Sequence, residues 1–449
     1  MRVKRRHRRK SALRSGYHAA AIRGYDAGFA KGYAAGITEG KLRYAQNFPG
    51  TSIIIPTFNQ RDRLRQCLQS IAQFTDLPHE VIVIDNASSD GTQEFLREQR
   101  TQLVYVRNAE NRGFSGAVNR GLKLARGETI VILNDDTIVT ERWLDNLLHC
   151  LLSDERIGLV GPVTNYISGS QQIDVAYHTN AEMCRFAADF NRTDSSRWRE
   201  TDRLAGFCLA MTKGTFQRLG YFDEGFELGN CEDDDYGLRA RICGLKLMIA
   251  GDTFIHHAGS ATVKSLGEQF AEAYRHNLDY YSAKWGNVGE LLDATLRNGQ
   301  EGGKIVDFYP TCVFVQGPNR AVYWLENGVR HHLADVFWGE AVRISAVELR
   351  MMPEGPPLSW EQAAARLTQL HELANEPFWT TDGALCQTPD GAIWQICGAA
   401  LRKVTVPLAL SAWKLLGRPI KMLDDHTLMS ILPQGRPILP PTVLVEPEL

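Results

Sequence analysis

Short apolar segments alternate with helix-spaced apolar positions between residues 51 and 133, and this alternation most constrains how the chain can fold. The strand-like segments are Ser52–Ile55, Val81–Ile84, Val104–Val106 and Thr129–Leu133. Between the first two segments, Leu64, Leu68 and Ile71 recur at helical spacing. Short strands that are apolar throughout and joined by helices are typical of a parallel sheet covered on both faces. We therefore predict a doubly wound α/β fold with a mostly parallel sheet.

In such sheets, ligands bind beyond the carboxyl ends of the strands, so the residues that follow each strand are candidates for function. Three strands are followed by polar segments: Pro56-Thr57-Phe58-Asn59, Asp85-Asn86 and Asn134-Asp135-Asp136-Thr137. Carboxylates clustered at a strand end suit Mg²⁺ or Mn²⁺ that also contacts phosphate oxygens, although a polar turn gives the same pattern. The carboxylate of Asp85 is placed to accept the imino hydrogen of a pyrimidine base. Ser88 and Asp90 are expected to cap a helix that begins near Thr92.

Three further motifs carry groups suited to catalysis or binding. Asn111-Arg112-Gly113-Phe114-Ser115-Gly116 precedes a helix, where glycine allows close backbone approach and the helix start favours a diphosphate. A simple turn capped by Ser115 explains that motif equally well. Glu232-Asp233-Asp234-Asp235 contains more acids than a helix start needs, so one carboxylate is a candidate general base. His256-His257 follows another predicted strand, and a neutral imidazole there can complete the coordination of a cation.

Taken together and in this order, the motifs between about Thr51 and Gly286 resemble glycosyltransferase family 2, including Tyr221-Phe222-Asp223-Glu224 and the Gly259-Ser260 that follows His257. The resemblance implies a GT-A fold and an inverting reaction, and the subgroup resembles bacterial enzymes that build rhamnose-containing or other cell-surface polysaccharides. It implies Asp136 and His257 as metal ligands and Asp233, beside Glu232, as the catalytic base. The nucleotide sugar would be held by Pro56, Thr57, Asn59, Asp85, Asn86, Asn111, Gly113, Asn134 and Asp135. Asn134 stands where many relatives carry aspartate, and between the two adjacent histidines the spacing to Thr262 favours His257.

The resemblance implies transfer of a sugar from a UDP- or dTDP-sugar to a saccharide hydroxyl in cell-envelope polysaccharide synthesis, with Mn²⁺ or Mg²⁺ as cofactor. The main alternative is a catalytically inactive protein that keeps the fold for binding or scaffolding. A nucleotide-sugar pyrophosphorylase is a second alternative, but the sequence lacks the expected Gly-rich loop with basic residues near its start.

Four regions are predicted along the chain: an extension over 1–48, the catalytic domain over 49–290, and repeat modules over 305–360 and 378–440. In the extension, Gly24, Gly28, Gly32, Gly36 and Gly40 fall every four residues, which suits a self-associating or docking helix as well as a poorly ordered leader. Seven of the first ten residues are Lys or Arg, which favours an anionic membrane surface over nucleic acid as a partner. In the modules, Pro318–Trp324 returns as Pro389–Trp394, with Gly328 matched to Gly398, which indicates two copies of a small domain.

Composition is that of a folded globular protein, with 44% hydrophobic and 23% charged residues among 449. Nine cysteines without a CxxC pair fit neither a disulfide framework nor a zinc site. The sequence contains no run of eighteen apolar residues. We therefore expect a cytoplasmic protein, either free or peripheral at the inner face of the membrane.

Overall fold

The computed structural model describes residues 48–99, 103–259, 261–296, 303–371, 381–424, 432–445 and 449. The predicted N-terminal extension up to residue 47 and Ser260 lie outside these residues. Gly50–Leu449 form one compact unit. Within the described residues, no helix is both long enough and apolar enough to cross a membrane.

The first part of this unit alternates strands and helices, as the sequence predicts. Its strands are β1 Phe48–Thr57, β2 His79–Asp85, β3 Val104–Arg107, β4 Gly127–Leu133, β5 Thr137–Ile138, β6 Ile157–Val163, β7 Trp198–Thr201, β8 Cys208–Thr212, β9 Lys246–Phe254 and β10 His256–His257. Its helices are α1 Arg61–Phe74, α2 Thr92–Glu98, α3 Gly113–Leu124, α4 Trp143–Leu151, α5 Asn180–Phe190, α6 Lys213–Leu219, α7 Glu232–Ile242, α8 Ala261–Trp285 and α9 Val288–Leu296.

Eight of these strands form one sheet in the order β3-β2-β1-β4-β8-β6-β9-β7. β1 and β2 pair in parallel, as do β2 with β3 and β6 with β9. β8 runs antiparallel to both of its neighbours, and β7 runs antiparallel to β9. The predicted α/β architecture with a mostly parallel sheet is confirmed, and β7 and β8 are the strands that depart from the parallel arrangement.

Both faces of the sheet are buried, because successive residues of a strand point to opposite sides. Ile54 packs into one hydrophobic core together with Val118 of α3. Ile53 packs into the other core together with Leu64 of α1. Helices on opposite faces therefore cover the sheet, which explains why its strands are apolar throughout.

A separate two-stranded ribbon joins β5 to β10 at the carboxyl end of β4. Its antiparallel register pairs Thr137 with His257 and Ile138 with His256. The ribbon thus brings the segment that follows β4 beside the segment that follows β9, although the two are far apart in the sequence.

The C-terminal part contains two four-stranded sheets with the same internal order. The first sheet contains β11 Val313–Gln316, β12 Val322–Glu326, β13 Val329–His332 and β14 Val342–Arg343, in the order β13-β12-β11-β14. The second contains β15 Leu385–Gln387, β16 Ile393–Cys397, β17 Ala400–Lys403 and β18 Ile420–Met422, in the order β17-β16-β15-β18. The accompanying helices are α10 Ala346–Met351, α11 Trp360–His371 and α12 Pro407–Ala412.

The register of the two sheets also corresponds. Phe314 pairs with Trp324 in the first sheet, and Leu385 pairs with Gln395 at the equivalent place in the second. The hairpin turns correct one detail of the sequence comparison: Asn327, at φ 48°, matches Gly398, at φ 56°, so the match of Gly398 to Gly328 is wrong by one residue. Both positions need a left-handed backbone, which asparagine and glycine adopt more readily than other residues.

The two sheets share a hydrophobic core instead of enclosing one each. Trp324 of the first sheet and Ile396 of the second belong to the same buried cluster. The buried amide of Gln395 also accepts from the backbone N–H of Thr311 at 3.0 Å and donates to its carbonyl oxygen at 3.1 Å. Trp413 and other apolar residues of this part extend the core beneath the large sheet. The domain bounds given above stay a prediction.

Candidate active site

A cavity of about 280 Å³ opens at the carboxyl ends of the strands, where the sequence places the candidate residues. Its predicted lining residues are Pro56, Thr57, Asn86, Asn111, Gly113, Asn134, Asp135, Asp136, Glu232, Asp233 and His257. Asn59 and Asp85 do not line it. Phe58 and Phe114, which lie within two of the sequence motifs, also line it. Further lining residues lie outside the motifs: Ile167, Ser168, Arg203, Ala205, Gly206, Phe207, Leu228, Gly229, Asn230 and Phe270.

Asp136 and His257 face each other across the β5–β10 ribbon. Nε2 of His257 lies 3.2 Å from Oδ1 of Asp136. The Nδ1 atom of His257 is 2.8 Å from the carbonyl oxygen of Tyr166, a contact that Nδ1–H makes by donating. In this neutral tautomer Nε2 carries a lone pair, so it cannot donate to Asp136, and Oδ1 is buried without a hydrogen-bond partner. Two lone pairs at this distance fit a cation between them.

When no cation is bound, a proton on Nε2 of His257 allows a hydrogen bond to Oδ1 of Asp136. Burial opposes a charge on His257, but the hydrogen bond and negative charge of Asp136 outweigh burial and raise the pKa of the imidazole. The ring also stacks on Phe207 at a centroid distance of 5.3 Å, which fixes its plane. The sequence left His256 and His257 as alternatives. The structure directs His256 away from the cavity, with its Nδ1 2.6 Å from the hydroxyl of Tyr177.

Asp135 lies beside this pair and is held by β1. Oδ2 of Asp135 accepts a hydrogen bond of 2.6 Å from Oγ1 of Thr57. Burial, and after it the charge of Asp136, raises the pKa of Asp135 to about 7. The segment after β4 therefore supplies two adjacent carboxyl groups of different environment: Asp135 is bonded to the hydroxyl of Thr57 at the end of β1, and Asp136 is turned toward His257.

The four acids at the start of α7 have separate roles. Asp234 pairs with Arg203 at 2.6 Å, and Asp235 points into the protein interior, where it contacts Arg239 at 2.9 Å. Only Glu232 and Asp233 line the cavity. The sequence therefore located the cluster, and the direction of each side chain divides it into two cavity residues and two residues that form ion pairs.

Asp233 and Glu232 differ in their hydrogen bonds. Asp233 accepts from the backbone N–H of Gly206 at 2.8 Å and from that of Asp234 at 3.0 Å. Burial, and then the charge of Asp234, raises the pKa of Asp233 to about 6. Burial, and then the charge of Asp233, raises the pKa of Glu232 well above its ordinary value, and its Oε2 atom is buried without a partner. At neutral pH Asp233 is the member of this pair better able to accept a proton.

Asn86 lines the cavity, but its side chain is engaged in hydrogen bonds that hold the loop before α3. Its amide donates to the carbonyl oxygen of Gly113 at 2.8 Å, and its Oδ1 accepts from Asn108 at 2.7 Å and from the backbone N–H of Arg112 at 3.2 Å. Asn111 accepts from the N–H of Gly113 at 3.0 Å. Gly113 has φ 67° and lies against the backbone of Leu228, so a side chain there is strained.

Asp85 is fully buried behind the cavity wall. Its carboxylate accepts from the backbone N–H of Ser88 at 2.8 Å and pairs with Arg107 at 3.3 Å. Asp90 accepts from the N–H of Thr92 at 3.1 Å, but the N-cap residue of α2 is Gly91, so Asp90 acts from one position before the cap. The predicted capping role of Ser88 is wrong, because its hydroxyl accepts from the N–H of Asn59 at 2.9 Å instead.

The segment before α7 has a strained backbone. Leu228, Gly229, Asn230 and Cys231 have φ angles of 56°, 145°, 79° and 69°. Three of them are not glycine, and such conformations persist only where the surrounding structure holds them. The segment forms part of the cavity wall immediately before Glu232. Gly229 and Asn230 are residue types that adopt such angles readily, whereas Leu228 and Cys231 give no local signal of them.

Comparison with known proteins identifies part of this region. Residues 52–218 match the family described as Glycosyl transferase family 2. A polypeptide N-acetylgalactosaminyltransferase 16 of Mus musculus is 25% identical over 231 residues, which cover 48% of this chain and 41% of the relative. A hyaluronan synthase of Pasteurella multocida is 31% identical over 221 residues, which cover 42% of this chain and 22% of the synthase.

A mannosyltransferase from Pyrobaculum calidifontis, solved in complex with GDP-Man and Mn²⁺, aligns with a TM-score of 0.37 and 22% identity over 60% of this chain and 84% of that chain. The chain spans less than half the length of the two curated relatives. The family match ends before α7, so Glu232, Asp233 and His257 lie beyond the matched residues.

Proposed function

We propose that this chain transfers a sugar from a nucleotide-diphosphate donor to a hydroxyl group of a saccharide, with inversion at the anomeric carbon; the match of residues 52–218 to glycosyl transferase family 2 supports this proposal. A UDP- or dTDP-sugar is the proposed donor, and cell-surface polysaccharide synthesis the proposed role. The observation that supports this most strongly is the arrangement of Asp136, His257 and Asp233 around a single cavity.

Mn²⁺ or Mg²⁺ is the proposed cofactor, and Asp136 with His257 would hold it. The fit rests on the partnerless buried Oδ1 of Asp136 and on the Nε2 lone pair directed at it. The described residues contain no group of three or more His, Cys, Asp and Glu side chains that could hold a metal. In this proposal Asp136 and His257 are the two protein ligands of the cation. When bound there, the cation would neutralise the negative charge that develops on the diphosphate leaving group.

Asp233 is the proposed base. Its two hydrogen bonds from backbone N–H groups hold the carboxylate in place, and its ionised form accepts the proton of the attacking hydroxyl. The oxygen then forms a bond to the anomeric carbon as the bond to the diphosphate breaks. A single displacement inverts the configuration and needs no second carboxylate as nucleophile.

Asp233→Asn tests this assignment, with binding and transfer measured separately. UDP binding in the presence of Mn²⁺ should stay within about two-fold of the wild type, because the variant changes a charge that does not contact the proposed metal ligands. Transfer from a panel of UDP- and dTDP-sugars to a saccharide should fall at least a hundred-fold, within the range that general base catalysis contributes. Asp189→Asn, at an exposed ion pair, is the matched control.

The alternative function is a binding or scaffold protein that retains the fold without turnover. It is favoured if the wild-type chain binds UDP or dTDP with Mn²⁺ but transfers no sugar. Undiminished transfer by Asp233→Asn would remove Asp233 from the proposed mechanism while leaving the glycosyltransferase activity intact.

A further inference from the structure

Helix α8 carries a line of apolar side chains that begins in the cavity and continues outside it. Phe270 lines the cavity. Tyr274 and Leu278 follow at spacings of four residues and are 43% and 42% exposed. Residues four apart lie on one slowly turning stripe of a helix, so these three side chains form a continuous line, which we call the α8 strip.

The other described exposed residues of α8 between 268 and 279 are charged, polar or small. The other described exposed residues between 268 and 279 are Glu268, Ala271, Glu272, Arg275, His276 and Asp279. Large apolar groups are therefore confined to the strip. Two large apolar side chains left in water beside a cavity usually mark a contact surface, whereas single ones need no explanation.

The strip is held at a fixed position relative to the cavity wall. Asn277, on the buried side of α8, accepts from the N–H of Glu227 at 2.8 Å and donates to the carbonyl oxygens of Glu227, Gly229 and Asn230 at 2.9 to 3.0 Å. This one buried amide fastens the helix to the segment that forms the cavity wall beside Asp233. Phe270 lines the same cavity as the proposed base, and Tyr274 and Leu278 follow it along the helix at exposed positions.

We propose that the α8 strip is the acceptor subsite for a linear saccharide chain, an inference that rests on the proposed function. A pyranose ring has apolar C–H faces that stack on aromatic side chains, and hydroxyl groups at its rim stay in water. From Phe270 to Leu278 the helix rises about 12 Å, which exceeds a single sugar ring. The terminal sugar would enter the cavity beside Asp233, and the preceding sugars would lie on Tyr274 and Leu278.

A protein partner fits the strip less well. Stable protein interfaces bury roughly 800 Å² on each side. The strip offers one line of three side chains with charged residues on its flank. Its narrow width and its continuity with the cavity match an extended chain better than a protein surface.

Binding to immobilised linear hexasaccharides of glucose, N-acetylglucosamine, galactose and rhamnose, each beside its monosaccharide, tests the proposal. The wild-type chain should retain at least one hexasaccharide more tightly than its monosaccharide. Tyr274→Ala should weaken that binding about ten-fold, the effect of one lost stacking contact. Leu278→Ala should weaken it less. Glu272→Ala, at an exposed position away from the strip on the same helix, should leave it unchanged.

UDP binding with Mn²⁺ is measured on the same samples. It should be unchanged in every variant, which also shows that each one folds. Nucleotide binding without preference for any hexasaccharide, or equal hexasaccharide binding by Tyr274→Ala and wild type, would overturn the subsite while sparing the proposed function. Failure of the wild-type chain to bind UDP or dTDP with Mn²⁺ contradicts the proposed function instead. A dimer that Tyr274→Ala dissociates would identify the strip as a protein interface and also overturn the subsite.

Discussion

Replacing Lys284 by Met should destabilise the fold strongly, because it removes one positive charge from a buried network. The ammonium group lies 2.5 Å from Oδ2 of Asp223 and 2.5 Å from Oδ1 of Asp235, and all three side chains are at most 1% exposed. Arg239 contacts the other oxygen of Asp235 at 2.9 Å. Burial opposes ionisation of Asp235, but Lys284 and Arg239 outweigh it and lower the pKa of its carboxyl. The network therefore contains two negative and two positive charges.

The expected loss of unfolding free energy follows from the excess negative charge that Lys284→Met leaves in the buried network. Removing one partner of a buried pair costs about 3–5 kcal/mol. The loss is limited near pH 7 because the uncompensated carboxylate can take up a proton. Protonating a group with an ordinary pKa of about 3.9 at pH 7 costs roughly 4 kcal/mol, and at pH 5 roughly 1.5 kcal/mol. The difference in unfolding free energy between wild type and variant should therefore shrink as the pH falls, since the folded variant binds one more proton than its unfolded state.

Urea unfolding of the wild type and of Lys284→Met, at pH 7 and at pH 5, measures the loss of unfolding free energy at each pH. Arg192→Met is the control, because its ion pair with Asp189 joins side chains that are 73% and 81% exposed. That change should cost less than about 0.5 kcal/mol at either pH. A loss below about 1 kcal/mol for Lys284→Met at pH 7 would refute the reasoning, as would a loss that does not change with pH. Lys284→Met combined with Asp223→Asn should recover part of the stability at pH 7, because it restores the charge balance.

Three further predictions concern the site and its walls. Transfer activity should fall about ten-fold per pH unit below about 6, because the pKa of Asp233 is raised to about 6 and only its ionised form accepts a proton. A pH–rate profile that stays flat from pH 7 to pH 4.5 contradicts this prediction. His257→Ala should weaken Mn²⁺-dependent UDP binding at least ten-fold, whereas His256→Ala should change it by no more than about two-fold, both measured by titration calorimetry. Equal losses in the two variants would contradict the choice of His257 over His256 as the metal ligand. Asn277→Leu should lower the free energy of unfolding, measured in urea, by about 2–4 kcal/mol, because it leaves several backbone groups of the 227–230 segment without partners. A loss near zero would show that this segment keeps its conformation without the hydrogen bonds of Asn277.

The α/β architecture could be predicted because its signals are local. The strands that begin near Ser52, Val81 and Thr129 are marked by continuous apolar runs and end at polar residues within one or two positions of the prediction. The polar residues after β1 and β4 reach the cavity for the same reason, since a strand end fixes where its next residues go. The antiparallel direction of β8 was not predicted, because direction depends on how distant strands pair and leaves no mark in the strand itself.

Other parts of the site depend on contacts between distant segments. Arg203 and Phe207 reach the cavity from a stretch without a recognisable motif, so the sequence did not single them out. The separate roles of Asp233 and Asp235 are set by the direction each side chain takes from α7, and a run of four acids does not show that direction. Asp85 looked available for a ligand because it ends a strand, yet Arg107 and the N–H of Ser88 already engage its carboxylate.

The shared core of the two C-terminal sheets has a consequence for how this region can be altered. Trp324 and Ile396 come from different repeats and are buried in one hydrophobic cluster. Deleting either repeat from the gene would leave the other with a wet apolar face and with the Gln395–Thr311 contacts broken. The two repeats can therefore be shortened or lost only together, and removing both would also expose the part of the core that Trp413 shares with the large sheet.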